Sequence, residues 1–113
     1  MQAKAQLRYY RASAQKVRLV ANLIRGKKVA SALATLQLVK KRCAKDLAKL
    51  VRSAVANFEQ ASPGTDTGKL VITRLQVDQG PAWKRFRAGS MGRAFPRLRR
   101  TCHILVEIAE LER

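Results

Sequence analysis

The apolar residues of this chain change their period once, and that change limits the fold more than any other feature. Val17, Val20, Ala21 and Ile24 recur at helical spacing, and Leu47, Leu50, Val51, Ala54, Val55 and Phe58 do so over four turns. After Gly68 the spacing becomes two: Leu70–Val77 places Val71, Thr73, Leu75 and Val77 on one side of a strand. Thr101–Ala109 does the same with Cys102, Ile104, Val106 and Ile108. Helices first and strands afterwards predict an α+β domain, with three helices packed on a small antiparallel sheet. At 113 residues the chain has room for one domain, 1–113, with a single core.

Local signals set the boundaries. Residues 3–12 read as an extended lead-in to Ser13, which caps a helix running to about Arg25, and Gly26 suits the left-handed position that ends it. A second helix fits Val29–Leu38, with Val29, Leu33 and Leu36 inward. The third fits Ala44–Ala61 and is closed by Ser62, Pro63 and Gly64.

Charge decides what such a domain is for. The chain carries 24 Lys and Arg against 7 Asp and Glu, a formal +17, and no acid precedes Asp46. Solubility alone asks for a net charge of only about 2 to 8 in a small domain. Self-repulsion on this scale calls for a polyanionic partner, and nucleic acid is the commonest. With an apolar fraction of 47% the chain also has the means to fold, unlike a disordered polycation.

Between the two strands lies QGPAWKRFRAGSMGRAFPRLRR, residues 79–100, with seven cations and no acid. Connections of this length are uncommon in compact domains unless they have a task. Gly80-Pro81 marks an exit from the sheet, and Gly89, Ser90 and Gly92 mark a reversal, so the segment reads as a long protruding basic β-hairpin. Two arms of about ten residues reach roughly 33 Å, beyond what the domain core covers. The hairpin is therefore expected to be mobile until a partner holds it. Trp83, Phe86 and Phe95 are interleaved with its arginines, a composition suited to stacking on unpaired bases while cations meet phosphates. The candidate RNA-binding residues are Lys16, Arg18, Arg25, Lys27 and Lys28 on the body, and Trp83, Lys84, Arg85, Arg87, Arg93, Arg97, Arg99 and Arg100 on the hairpin.

Other classes fare worse. An enzyme needs convergent acid-base or nucleophilic groups, whereas His103 is single and the acids are scattered. Cys43 and Cys102 have no metal-ligand spacing and read as small buried hydrophobes, so no metal or cofactor is expected. A DNA-binding helix-turn-helix is the alternative, built on the two short helices flanking Gly26, but it leaves the hairpin without a purpose. A membrane-active basic helix would waste the apolar face of the third helix. The sequence shows neither a membrane-spanning run nor a secretory signal, so a cytoplasmic location is expected.

Two stretches carry a family likeness: SAQKVRLVANLIRGKKV, Ser13–Val29, and VDQGPAWKR with GRA and RRTCHI, within Val77–Ile104. They resemble the bacterial family of large-subunit ribosomal protein twenty-two, in order and over nearly the whole chain. The resemblance implies binding to large-subunit ribosomal RNA, support of subunit assembly, and a hairpin lining the nascent-peptide exit tunnel. It implies as partners that RNA, neighbouring ribosomal proteins including the other protein at the tunnel constriction, and the nascent polypeptide; no homo-oligomer is expected. The tip would be Ala88, Gly89, Ser90, Met91 and Gly92. Here AGSMGRA stands where the family usually has a Pro-Arg-Ala-Lys-Gly-Arg-Ala type of run, which lowers the tip charge.

Overall fold

The computed structural model describes residues 2–64 and 67–110. Their order is β1 (Gln2–Tyr10), α1 (Ala14–Ile24), α2 (Val29–Leu38), α3 (Arg42–Ala61), β2 (Leu70–Gln79), β3 (Trp83–Ala88), β4 (Ala94–Arg99) and β5 (Cys102–Glu110). This is the α+β class read from the sequence. Strands β1, β5 and β2 form an antiparallel sheet in the order β1-β5-β2, and β3 and β4 pair as a separate two-stranded hairpin. The described residues extend over 65 × 26 × 16 Å.

The inner face of the sheet is built on β5, whose Cys102, Ile104, Val106 and Ile108 are all fully buried. Against it lie Val17, Val20, Ala21 and Ile24 of α1 and Leu47, Val51, Ala54 and Phe58 of α3, each at most 1% exposed. Helix α3 lies across β1 and β5, and α1 lies along β2. Ser13 caps α1 by accepting the Lys16 N–H, and Gly26 follows the helix at φ +79°, a region that L residues avoid. In α2, Val29 and Leu36 are buried as expected, while Leu33 is half-buried and Ala32 takes the fully buried position beside them. Helix α3 begins two residues before the expected Ala44 and so buries Cys43.

The expected inward face of β2 needs correction. Leu70 and Ile72 point inward in the first half and Leu75 and Val77 in the second, whereas Val71 is half-buried and Thr73 exposed. The cause is a β-bulge between Ile72 and Arg74, which adds a residue and reverses the alternation. The Thr73 hydroxyl donates to the Glu107 carbonyl across the bulge at 3.2 Å.

A second irregularity lies in β1, between Leu7 and Tyr10. Tyr9 sits there at φ +56°, and its N–H donates to His103 Nδ1 at 3.0 Å with the two rings edge to face. His103 thus accepts a backbone N–H through Nδ1. The bulge also turns Tyr10 toward α3, where its hydroxyl donates to Asp46; burial first, then that carboxylate, hold the phenol well above its ordinary range.

The hairpin leaves the sheet through a close approach of backbones. Gly80 N–H donates to the Thr101 carbonyl at 2.9 Å, and the buried Thr101 hydroxyl donates to the Pro81 carbonyl. A Cβ at Gly80 would stand 2.7 Å from Thr101 Oγ1 and 3.2 Å from His103 Nε2. Gly80→Ala should therefore cost about 1 to 3 kcal/mol, the usual penalty for overpacking. Urea unfolding measures it, and an unchanged midpoint would show that the junction has slack.

Candidate nucleic-acid interface

The cations singled out on the body are spread along α1 and the turn after it. Lys16 and Arg18 stand near the start of α1, whereas Arg25, Lys27 and Lys28 stand at its far end. At about 1.5 Å of rise per residue, the backbone of Arg18 lies about 10 Å from that of Arg25 along the helix axis, and that of Lys16 about 14 Å.

Two of the arginines work inside the fold. Strand β2 is an edge of the sheet, so its outward carbonyls need partners. Arg18 donates from Nε and Nη2 to the Val77 carbonyl at 3.1 and 2.8 Å. Arg25 donates from Nε and Nη2 to the Leu75 carbonyl at 3.2 and 2.9 Å, and from Nη1 to Asn22 Oδ1. The Ile72 N–H donates to the Lys27 carbonyl at 3.0 Å, and Lys28 bridges to Val71. Helix α1, through Arg18 and Arg25, and the turn after it thus seal the β2 edge. The guanidinium planes are fixed by these bonds, Arg25 through all three nitrogens.

The structure also assembles a cleft of about 750 Å³ between the start of α1 and the foot of the hairpin. Arg11, Lys16, Arg18, Arg99 and Arg100 line it, together with Ser13, Gln15, Gln79 and Thr101, and no acid does. Residues 11–18 and 98–101 meet there because β1 and β5 are neighbours in the sheet. Arg11 was not among the candidates drawn from the sequence. Its only sequence signal is its place in the acid-free run before Asp46. Five cations around an open, polar-lined cleft attract an extended anion, and because Arg18 already donates from Nε and Nη2 to Val77, the guanidinium forks offered to a phosphodiester backbone are those of Arg11, Arg99 and Arg100.

From the foot outward every residue of β3 and β4 is exposed, including Trp83, Phe86, Phe95 and Leu98. No residue of either strand enters the hydrophobic core. The register is Trp83 to Arg99, Lys84 to Leu98, Arg85 to Arg97, Phe86 to Pro96, Arg87 to Phe95 and Ala88 to Ala94. The tip closes with a Gly89 N–H to Arg93 carbonyl bond of 2.6 Å, and Ser90–Gly92 makes the reversal with Met91 and Gly92 at positive φ. Phe95 lies over Gly89 so closely that a Cβ there would be 2.0 Å from the ring. Met91 is 98% exposed. Arg93 follows it, exposed, before β4 begins.

Among the described residues, no group of three or more His, Cys, Asp or Glu is placed to hold a metal ion. Both cysteines are buried thiols, raised above their ordinary range by desolvation. No helix among these residues is long and apolar enough to cross a membrane.

Comparison with known proteins adds the family. The model of the family described as ribosomal protein L22p/L17e matches residues 5–109. A large ribosomal subunit protein uL22 of Solibacter usitatus is 43% identical over 112 residues, covering 99% of each chain. That of Maridesulfovibrio salexigens is 46% identical over 111 residues, 98% of this chain and all of its relative. That of Anaeromyxobacter sp. strain K is 48% identical over 109 residues, 96% of this chain and 75% of its relative.

Proposed function

The chain belongs to the ribosomal protein L22p/L17e family, and from that membership we propose that it acts as an RNA-bound structural constituent of the large ribosomal subunit. It is not an enzyme, as befits a ribosomal-protein family. The observation that carries the RNA reading is the cleft at the hairpin foot, where Arg11, Lys16, Arg18, Arg99 and Arg100 converge without an acid. Large-subunit ribosomal RNA enters this cleft through its backbone, because guanidinium and ammonium groups there meet phosphates and read no base sequence. The remaining cations of the body, Arg25, Lys27 and Lys28, add longer-range attraction from the far end of α1.

The hairpin then carries its arginines away from the body into the RNA of the particle. Its tip, Ala88–Gly92, lines the nascent-peptide exit tunnel, beside the other protein of the constriction and the emerging polypeptide. An uncharged tip suits a surface along which a chain of any sequence must pass. A helix-turn-helix mode of DNA binding fits poorly, since it gives the basic hairpin no role.

The division of labour is testable by deletion. Residues 82–97 contribute nothing to the core, so their removal should leave the body folded, with Arg99 and Arg100 still in the chain beside it. Ordering the hairpin on RNA costs about 1 to 2 kcal/mol of backbone entropy per residue, which offsets much of its attraction. The deletion variant should therefore still co-sediment with large subunits in moderate salt, while the tunnel wall loses its lining. Exclusion of the variant from subunits would assign assembly to the hairpin instead.

A further inference from the structure

The hairpin register sorts its residues onto two faces of unlike chemistry. Directly opposed residues of an antiparallel pair share a face, and successive residues alternate. One face therefore carries the pairs Trp83 with Arg99, Arg85 with Arg97, and Arg87 with Phe95. The other carries Lys84 with Leu98, Phe86 with Pro96, and Ala88 with Ala94. Four guanidinium groups lie on the first face and one ammonium on the second. The first face also runs into the cleft, since Arg99 belongs to both.

At the centre of the first face Arg85 and Arg97 stand directly opposite each other. Like charges so placed destabilise a hairpin, and no residue of 79–100 is acidic. We propose that this pair is a phosphate clamp: an RNA phosphate seats between the Arg85 and Arg97 guanidinium groups, Arg87 and Arg99 hold the backbone on either side, and the opposite face stays out of RNA contact. This rests on the RNA reading above and assigns it to one face. The anion turns the repulsive pair into a bridged one, so RNA binding and hairpin ordering become one event.

The clamp predicts effects of opposite sign for a single substitution. Arg97→Glu in the full-length protein replaces repulsion by attraction across the strands. Amide exchange through β3 and β4 of the free protein should slow about two- to fivefold. Affinity for deproteinised large-subunit ribosomal RNA should fall about ten- to hundredfold, the loss expected for a charge-assisted bond. Phe86→Ser on the other face should leave that affinity within about twofold. In intact subunits, a benzophenone photocrosslinker replacing Arg87 should mark RNA.

Faster exchange together with weaker binding after Arg97→Glu would reduce the pair to a structural role and overturn the clamp. Equal losses from Phe86→Ser and Arg97→Glu would overturn the face assignment, as would a crosslink from position 87 to protein alone. Lys16→Glu in the cleft separates the two levels. If it weakens RNA binding while Arg97→Glu does not, the clamp fails and the RNA reading stands; if neither does, both fail.

Discussion

Replacing Phe58 by alanine should lower the unfolding free energy by about 3 to 5 kcal/mol, enough to unfold a large share of the free protein. Phe58 is 1% exposed and is the largest fully buried side chain. It comes from the last turns of α3, the helix that covers β1 and β5. Small domains hold only about 5 to 15 kcal/mol in total, and the free protein also bears a formal +17 that works against compactness. Urea unfolding of the isolated chain is the measurement, with Leu38→Ala as the control. Leu38 is 83% exposed, so its truncation should stay within about 0.5 kcal/mol. A Phe58→Ala midpoint equal to that of Leu38→Ala would mean that α3 does not hold the sheet.

The parts of the fold that were legible in the sequence are those where one signal dominates. Ser13, the spacing of Val17 to Ile24 and Gly26 define α1 to within a residue, and the alternation from Cys102 to Ile108 defines the central strand. In β2 two apolar alternations overlap: Leu70 and Ile72 in one phase, Val71, Leu75 and Val77 in the other. Periodicity follows the longer run, whereas the chain uses both by inserting a bulge at Thr73. The start of α3 gave no signal because Lys41 makes no side-chain cap.

The interface was legible in composition and not in arrangement. Charge counting finds Arg18 and Arg25 but not the β2 carbonyls they seal, because that contact spans 50 residues or more. Arg11 becomes part of a site only when β1 and β5 are placed side by side. The hairpin was expected from its glycines and length, yet its two faces depend on pairing Arg85 with Arg97, which composition does not determine.

The cleft at the hairpin foot is the centre of the functional account, and reversing its charges should have the largest effect on binding. Arg11, Lys16 and Arg100 are the residues to change, since Arg18 also seals the sheet edge and Arg99 also belongs to the hairpin face. All three are exposed, so Arg11→Glu, Lys16→Glu and Arg100→Glu combined should spare the fold. Each charge-assisted contact contributes about 1.5 to 3 kcal/mol, so the triple variant should lose about 4 kcal/mol or more, roughly a thousandfold in affinity. Three lost phosphate contacts also make the dependence of log affinity on log salt shallower by about 2. The decisive measurement is the affinity of the full-length protein and this variant for deproteinised large-subunit ribosomal RNA across a salt series. A large loss at low salt with a shallower slope is the predicted result, and equal affinity with an unchanged slope would contradict the account.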